Sequence, residues 1–422
     1  MLTSLKDLTR RASVDAPEKT ILILDQSGAL GGAELSLLEI CKRIRRSCEV
    51  VLFADGPFRK SLVDAGVTVN LSQQNAFENM RKQGGRALSL GAVTGTWRLA
   101  WKVIRLARSR RVIYANTQKA MVIGAIAGFI ARRPVVWHLR DIVTTEHFDK
   151  SRLAVIRILS KRMITHVIAN SKASAEALQT LADLPPSQMS VIYNGIDAGP
   201  FDAAAAIPTS ALRARYGLPA DAYLIGTFSR LAHWKGQHVL LEALAAIPDA
   251  HAVLVGAALF GESAYEAELK AKVQALGLSE RVHFLGFQSD VAGLMHAMDI
   301  VVHTSIAPEP FGRVIVEAML AHRPMIAAAG GGALEIITDG VDGVLVTPGD
   351  ARELATAVHR LRNDPEEREA IVLRAYSRAR GSFDPDAYCK AVLRKLESIG
   401  QFALPVENGE AELTTTAPSV RT

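Results

Sequence analysis

"DIVVHTSIAPEPFGRVIVEAML", residues 299–320, reads as strand, loop and helix in that order. "DIVVHTS" is a short apolar run of the kind that a doubly covered parallel strand carries. "IAPEP" is the loop, and "FGRVIVEAML" has helical spacing from Phe311 or Gly312 onward. The start of a helix offers free N–H groups and a partial positive charge, which together suit an anion such as phosphate. Gly312 lets a ligand approach the backbone closely. Two carboxylates flank this start, Glu309 before it and Glu317 within it. At ~1.5 Å per residue, Glu317 stands about 7.5 Å along the axis from Gly312. A carboxylate can accept hydrogen bonds from two adjacent hydroxyls, so each suits a sugar diol. A ligand with hydroxyls at both ends and phosphate between them, the layout of a nucleotide sugar, would meet Glu309, the amides of Phe311 and Gly312, and Glu317 in turn.

The same strand-to-helix pattern recurs along the chain. "GTFSRLAHWKGQ", residues 226–237, places Arg230 and Lys235 after a strand, where a bidentate guanidinium and a compact ammonium could pair with a diphosphate. "AAAGGGALEII", residues 327–337, either presents amides to a ligand or only makes a tight turn. Near the N-terminus, "TILILD" is a strand and "QSGALGGAE" a glycine-rich loop opening a helix, with Gly31 and Gly32 suited to close approach. It lacks the lysine and hydroxyl of a Walker loop. "WHLRD" puts His138 and Asp141 at a strand end, and His138 is read as lying in a post-strand loop.

Strands alternate with helices in both halves, which predicts α/β architecture: two doubly wound Rossmann-like domains facing a central cleft. The expected organisation is an extension over 1–19, a first domain over 20–195 and a linker over 196–220. A second domain follows over 221–382, then a helix over 383–400 and a disordered tail over 401–422. Residues 72–94, polar and glycine-rich, are expected to form a mobile loop. In open α/β sheets ligands bind beyond the carboxyl ends of the strands, where these loops lie.

Charge is unevenly divided. Residues 1–200 hold 29 Lys and Arg against 16 Asp and Glu, a net of +13, while the remainder nets −7. Residues 79–140 contain 13 basic side chains and no acid. Within them "TWRLAWKVIRLARSRR", residues 96–111, reads as a helix. One stripe is Trp97, Trp101 and Ile104, and the neighbouring one is Arg98, Lys102 and Arg105. Adjoining tryptophans and cations suit an anionic lipid headgroup layer. Nothing in the region resembles a recognition helix or an RNA-binding signature, so nucleic acid is not expected as a partner. The longest apolar run, "AMVIGAIAGFIA" at 120–131, is too short to span a bilayer and reads as a buried helix. No signal peptide is visible, and Cys41, Cys48 and Cys389 have no metal-ligand spacing, so they read as reduced thiols of a cytosolic protein.

The ordered set "GGAE", "NGID", "SR…KG", the two glutamates around "PFG", "GG..E" and "DGVDGVLVTPGD" resembles the family 4 retaining glycosyltransferases of GT-B fold, over roughly residues 20–400. That resemblance implies a metal-independent, retaining hexosyltransferase that needs no cofactor. Its donor would be a UDP- or GDP-linked sugar and its acceptor a lipid-linked molecule or a polysaccharide of the cell envelope. It implies that Arg230 and Lys235 bind the diphosphate, Glu317 the ribose, and Glu309 with the Phe311 and Gly312 amides the donor sugar. His138 would approach that sugar from the other domain, Gly32 would lie near the distal phosphate, and the helix over 383–400 would cross back to the first domain. The expected location is cytoplasmic, peripheral on the inner face of the cell membrane. "WHLRD" departs from the shorter "HD"-like pair of many members, which leaves Asp141 without an implied role. Two other readings stay open: a nucleotide-sugar epimerase of similar fold, and a non-catalytic nucleotide-sugar-binding protein.

Overall fold

The structure, a computed structural model, describes residues 19–72, 90–258 and 261–404. The expected extension, apart from Lys19, and most of the expected tail lie outside the described residues, as does the greater part of the expected loop over 72–94.

The first sheet is built from β1 (Ile21–Asp25), β2 (Cys48–Leu52), β3 (Thr68–Leu71), β4 (Val112–Ala115), β5 (Val135–Leu139), β6 (His166–Ala169) and β7 (Met189–Val191). All pairings are parallel, in the order β3-β2-β1-β4-β5-β6-β7. The second sheet takes β8 (Tyr223–Phe228), β9 (Ala250–Val255), β10 (Val282–Gly286), β11 (Ile300–His303), β12 (Met325–Ala328) and β13 (Val344–Val346). It is parallel too, in the order β10-β9-β8-β11-β12-β13. The winding reverses between β1 and β4 in one sheet and between β8 and β11 in the other. Each reversal leaves a crevice at the carboxyl ends of those strands.

The central strands read as apolar runs because helices cover both faces; every residue of β1, β4 and β5 is buried. The stretch expected as a linker is folded. Helices Gly199–Ala205 and Thr209–Arg215 lie within it, and Phe201, Ala204, Leu212 and Leu218 belong to the second domain's core. Its alanines and prolines concealed a short apolar periodicity. Helix Pro385–Gly400 puts Tyr388, Cys389, Val392 and Leu396 into the core beneath β1 and β2. Asp384 caps it, accepting from the Ala387 amide at 2.7 Å.

The basic helix begins earlier than expected and runs over Leu90–Ala107. Its buried stripe is Leu99, Ala100, Val103, Ile104 and Ala107, which corrects the grouping of Ile104 with the tryptophans. Trp97 and Trp101 lie outside that stripe and are 62% and 56% exposed. Helix Gln118–Ala131, the run too short to cross a membrane, is mostly buried, with Phe129 and Ile130 exposed near its end. No helix among the described residues is long and apolar enough to cross a membrane.

Tyr388 ties the last helix to the first domain by its ring and by its hydroxyl, which accepts from Arg140 at 3.1 Å. Tyr388→Ala should cost about 3 kcal/mol or more, by loss of a buried ring, and Tyr388→Phe about 1 kcal/mol. Urea unfolding followed by tryptophan fluorescence checks this. Equal stability of the two variants would show that ring burial adds nothing.

Candidate active site

The loops after β8 and β11 meet in the second domain's crevice. Lys235 ends a short 3-10 turn, His233–Lys235, and Gly236 follows with φ +67. A Cβ at Gly236 would stand 2.0 Å from the Thr304 carbonyl oxygen, so the two loops can touch only with glycine there. Thr304 Oγ1 donates to the Lys235 carbonyl at 2.9 Å, and the Ile306 amide donates to the Trp234 carbonyl at 2.8 Å.

Within this stitched pair of loops, Lys235 Nζ donates to both oxygens of Glu309, each at 2.7 Å. His303 Nε2 meets Glu309 Oε2 at 2.6 Å, and Ser305 Oγ donates to the same oxygen at 3.1 Å. Burial alone would raise the Glu309 carboxyl, but Lys235 and His303 outweigh it and hold the group well below the usual carboxylate range. Burial pushes the Lys235 ammonium below its ordinary value, with Glu309 opposing. Trp234 lies beside the pair, its ring centroid 4.1 Å from Lys235 Nζ and 5.6 Å from the Arg230 guanidinium carbon. Arg230, Lys235 and Glu309 are therefore brought together as one cluster.

The glycine run 330–332 braces this cluster. The Gly332 amide donates to the Glu309 carbonyl at 2.8 Å, and a methyl group on Gly332 would lie 2.3 Å from the Phe311 carbonyl oxygen. That amide is thus spent on the Glu309 loop. Helix Arg313–Leu320 follows Gly312, whose φ of +97 suits glycine alone. Phe311 is buried against Tyr193 and Phe383, with ring centroids 5.7 to 6.2 Å apart. Glu317 pairs with Arg313 at 3.2 Å.

Arg313 also crosses to the first domain, donating to Ser36 Oγ at 2.9 Å. A Cβ on Gly32 would stand 2.9 Å from Arg313 Cδ, so Gly32 faces the second domain directly. Gly31 caps the helix Gly32–Arg43, its amide donating to Glu34 Oε2 at 3.0 Å. Other contacts join the domains. Glu335 accepts from the Lys172 and Ala173 amides at 2.8 Å each, at the start of helix Lys172–Ala182, and from the Tyr193 hydroxyl at 2.9 Å. His147 meets the Trp234 ring edge-on at 6.2 Å.

His138 requires a correction. It lies inside β5 and is fully buried, because the strand continues to Leu139 and its side chain points into the core. The Tyr114 hydroxyl and the Arg140 guanidinium, the latter at 3.3 Å, both contact Nδ1. A guanidinium can only donate, so Nδ1 accepts. Burial, then Arg140, holds the ring well below its ordinary pKa, and the neutral ring carries its proton on Nε2, which has no partner among the described residues. Arg140, which the sequence did not single out, is the hub. It donates to Asn116 Oδ1 and Asn194 Oδ1, each at 2.8 Å, and Asn116 donates to the buried Asp25 at 2.6 Å. "WHLRD" contained the arginine; nothing in it pointed to Asn116, Asn194 or Tyr388.

Among the described residues no three His, Cys, Asp or Glu side chains are grouped to hold a metal ion.

Comparison with known proteins adds to this geometry. The family model "Glycosyltransferase Family 4" matches residues 30–199, and "Glycosyl transferases group 1" matches residues 209–378. An uncharacterized glycosyltransferase of Methanocaldococcus jannaschii is 31% identical over 273 residues, which cover 62% of this chain and 68% of that protein. The chain belongs to the group 1, family 4 glycosyltransferases. The crystal structure of Anabaena HepE in complex with UDP and glucose is 44% identical, with a TM-score of 0.82, covering 90% of this chain and 100% of that one. The lipopolysaccharide core biosynthesis glycosyltransferase LpsE of Rhizobium meliloti is 31% identical over 186 residues, or 44% of this chain. The match spans about half of LpsE's length, 53%. The two sheets facing one cleft are the GT-B arrangement of this glycosyltransferase family.

Glu309→Gln should leave Lys235 buried without its counter-charge and cost about 3 kcal/mol of stability at neutral pH. A carboxyl depressed in the fold stabilises above its unfolded pKa, and that contribution is lost as pH falls through the folded value. The difference between wild type and variant should therefore be full at pH 7 and shrink only in strong acid. Thermal melts across pH check it, and a difference absent at pH 7 would contradict the ion pair.

Proposed function

We propose that this glycosyltransferase moves a hexose from a UDP-linked sugar to a lipid-linked or polysaccharide acceptor, with retention and without a metal ion, on the inner face of the cell membrane. The observation that carries the reading is the Lys235 ammonium, held by both Glu309 oxygens beside the start of helix Arg313–Leu320. It supports a diphosphate site, because a fixed cation and free helix amides converge there. UDP as the nucleotide is supported by HepE, whose crystal complexes hold UDP, UDP with glucose, and UDP-glucose.

In this reading Arg230 and Lys235 take the charge that grows on the departing diphosphate. Glu309 sets the position of Lys235 and, with the Phe311 and Gly312 amides, borders the donor sugar. Glu317 receives the ribose. The Gly31–Gly32 turn leaves room beside the distal phosphate. The bond from the anomeric carbon to phosphate oxygen breaks. A bond to the acceptor oxygen forms on the same face, and the acceptor's proton passes to the leaving phosphate.

Lys235→Ala should lower transfer from UDP-glucose about 100-fold or more while the fold survives. Activity should persist in excess EDTA, and proton NMR of the product should show the donor's anomeric configuration. Near wild-type activity in a folded Lys235→Ala protein, rescue of an EDTA loss by magnesium, or an inverted product would each refute the corresponding part.

The membrane partner rests on exposed Trp97 and Trp101 beside exposed Arg98, Arg105 and Arg108, within a stretch that carries no acid. Each cation near an anionic surface contributes about 1 kcal/mol at best. Co-sedimentation with liposomes should require anionic lipid, weaken as salt rises, and fall for the triple change Arg98→Gln, Lys102→Gln and Arg105→Gln. Equal binding to neutral and anionic vesicles, or none to either, would make the helix an ordinary surface.

A further inference from the structure

Several polar groups of the first domain remain unused on the rim of the cleft. Gln26 follows β1, Gln118 follows β4, and Asp141 and Thr144 follow β5. These three strands are neighbours, in the order β1-β4-β5, so their loops stand side by side. Gln26 Oε1, Gln118 Nε2 and Thr144 Oγ1 are shut away from solvent without a hydrogen-bond partner among the described residues. Asp141, half-buried, makes no hydrogen bond or ion pair there either. Leaving a buried donor or acceptor unpaired is costly, so a row of them calls for an explanation.

Asp141 follows the carboxyl end of β5, and the charges that act on it come from both domains. Burial pushes its carboxyl up, against the pull of His147 and Arg140 from its own domain and of Arg230 from the other, with Glu34 adding to the rise. His147 itself touches Trp234 across the cleft. Asp141 thus feels Arg230, one member of the cation cluster assigned above to the donor diphosphate.

We propose that Gln26, Gln118, Asp141 and Thr144 form the acceptor subsite, and that the group it takes is a neutral sugar presenting hydroxyls. The inference rests on the reading of this chain as a transferase using a UDP sugar. The chemistry of the four groups selects the ligand. An amide oxygen and a carboxylate need donors, an amide N–H₂ needs an acceptor, and a threonine hydroxyl is both. Sugar hydroxyls supply both roles at each position. A phosphate supplies only acceptors and would meet Asp141 and Gln26 Oε1 unfavourably. A lipid tail supplies neither. The enclosed atoms become reachable when the cleft opens, so acceptor entry follows separation of contacts such as Arg313 with Ser36.

The test uses the full chain saturated with a slow fluorinated UDP-glucose analogue, which fills the donor pocket. Methyl β-D-glucoside is then titrated as the acceptor probe and followed by saturation-transfer NMR, with phosphorylated glucose as the contrasting probe. Wild type should bind the glucoside in preference to the phosphate. Asp141→Asn and Gln118→Leu should each weaken the glucoside about tenfold while affinity for the nucleotide analogue is kept. Thr144→Val serves as a third variant should either of the others unfold. No glucoside binding by the loaded wild type, equal binding by wild type and folded variants, or tighter binding of phosphorylated glucose would overturn the proposal. Failure of wild type to bind the UDP-glucose analogue would instead strike the donor reading, and the subsite would fall with it.

Discussion

A lysine ammonium enclosed in protein needs a counter-charge at contact distance, and the second domain is arranged around meeting that need for Lys235. Glu309 gives both oxygens to it, and His303 and Ser305 steady the carboxylate from the end of β11. Four further features keep the carboxylate there: the Thr304 bond to the Lys235 carbonyl, the bare Gly236, the Gly332 bond to the Glu309 carbonyl, and the left-handed Gly312. Each would be a minor loop detail alone. Together they hold a desolvated cation at the topological switch point, where its field acts at short range and little screened.

The first domain solves the mirror problem with a different hub. Arg140 is enclosed at the end of β5 and satisfies its guanidinium on Asn116, Asn194, His138 and Tyr388. Those partners come from β4's end, from the segment leading out of the first domain, from β5, and from the last helix. One side chain therefore records whether the strand ends, the interdomain crossing and the returning helix are all in place. It also fixes the tautomer of His138, which turns that ring into a donor. Tyr193, one residue before Asn194, packs on Phe311 and bonds to Glu335, so the crossing segment touches the Glu309 loop as well.

The two halves differ in charge, and their charged side chains are engaged differently. In the second domain the acids are largely engaged locally, as in Asp350 capping helix Ala351–Asn363 and Asp342 paired with Arg378. In the first, the stretch over 79–140 has no acids of its own, and Arg110 finds its partner in Glu49 of β2. Trp97 and Trp101 then stand exposed among cations because the helix Leu90–Ala107 has already buried Leu99, Val103 and Ile104 in the core it shares with helix Gln118–Ala131 and the sheet.

Periodicity and loop chemistry in the sequence were enough to establish the alternating strands, the two domains and the cluster of Arg230, Lys235 and Glu309. These are local signals: apolar runs, glycines before helices, and charged residues within a few positions of a strand end. Pairings between distant positions were not legible. Arg140 with Asn194 and Tyr388, Arg313 with Ser36, and Glu335 with the Lys172 amide join segments 54 to 277 residues apart, and no spacing rule reaches that far. Depth was equally hidden. "WHLRD" does not say which residue ends the strand, and one position of register separates the enclosed His138 from a residue in the cleft. Nor could the helix stripe be assigned before the sheet beneath it was known. Trp97, Trp101 and Ile104 share a spacing, yet only the packed sheet decides that Ile104 goes in and the tryptophans stay out.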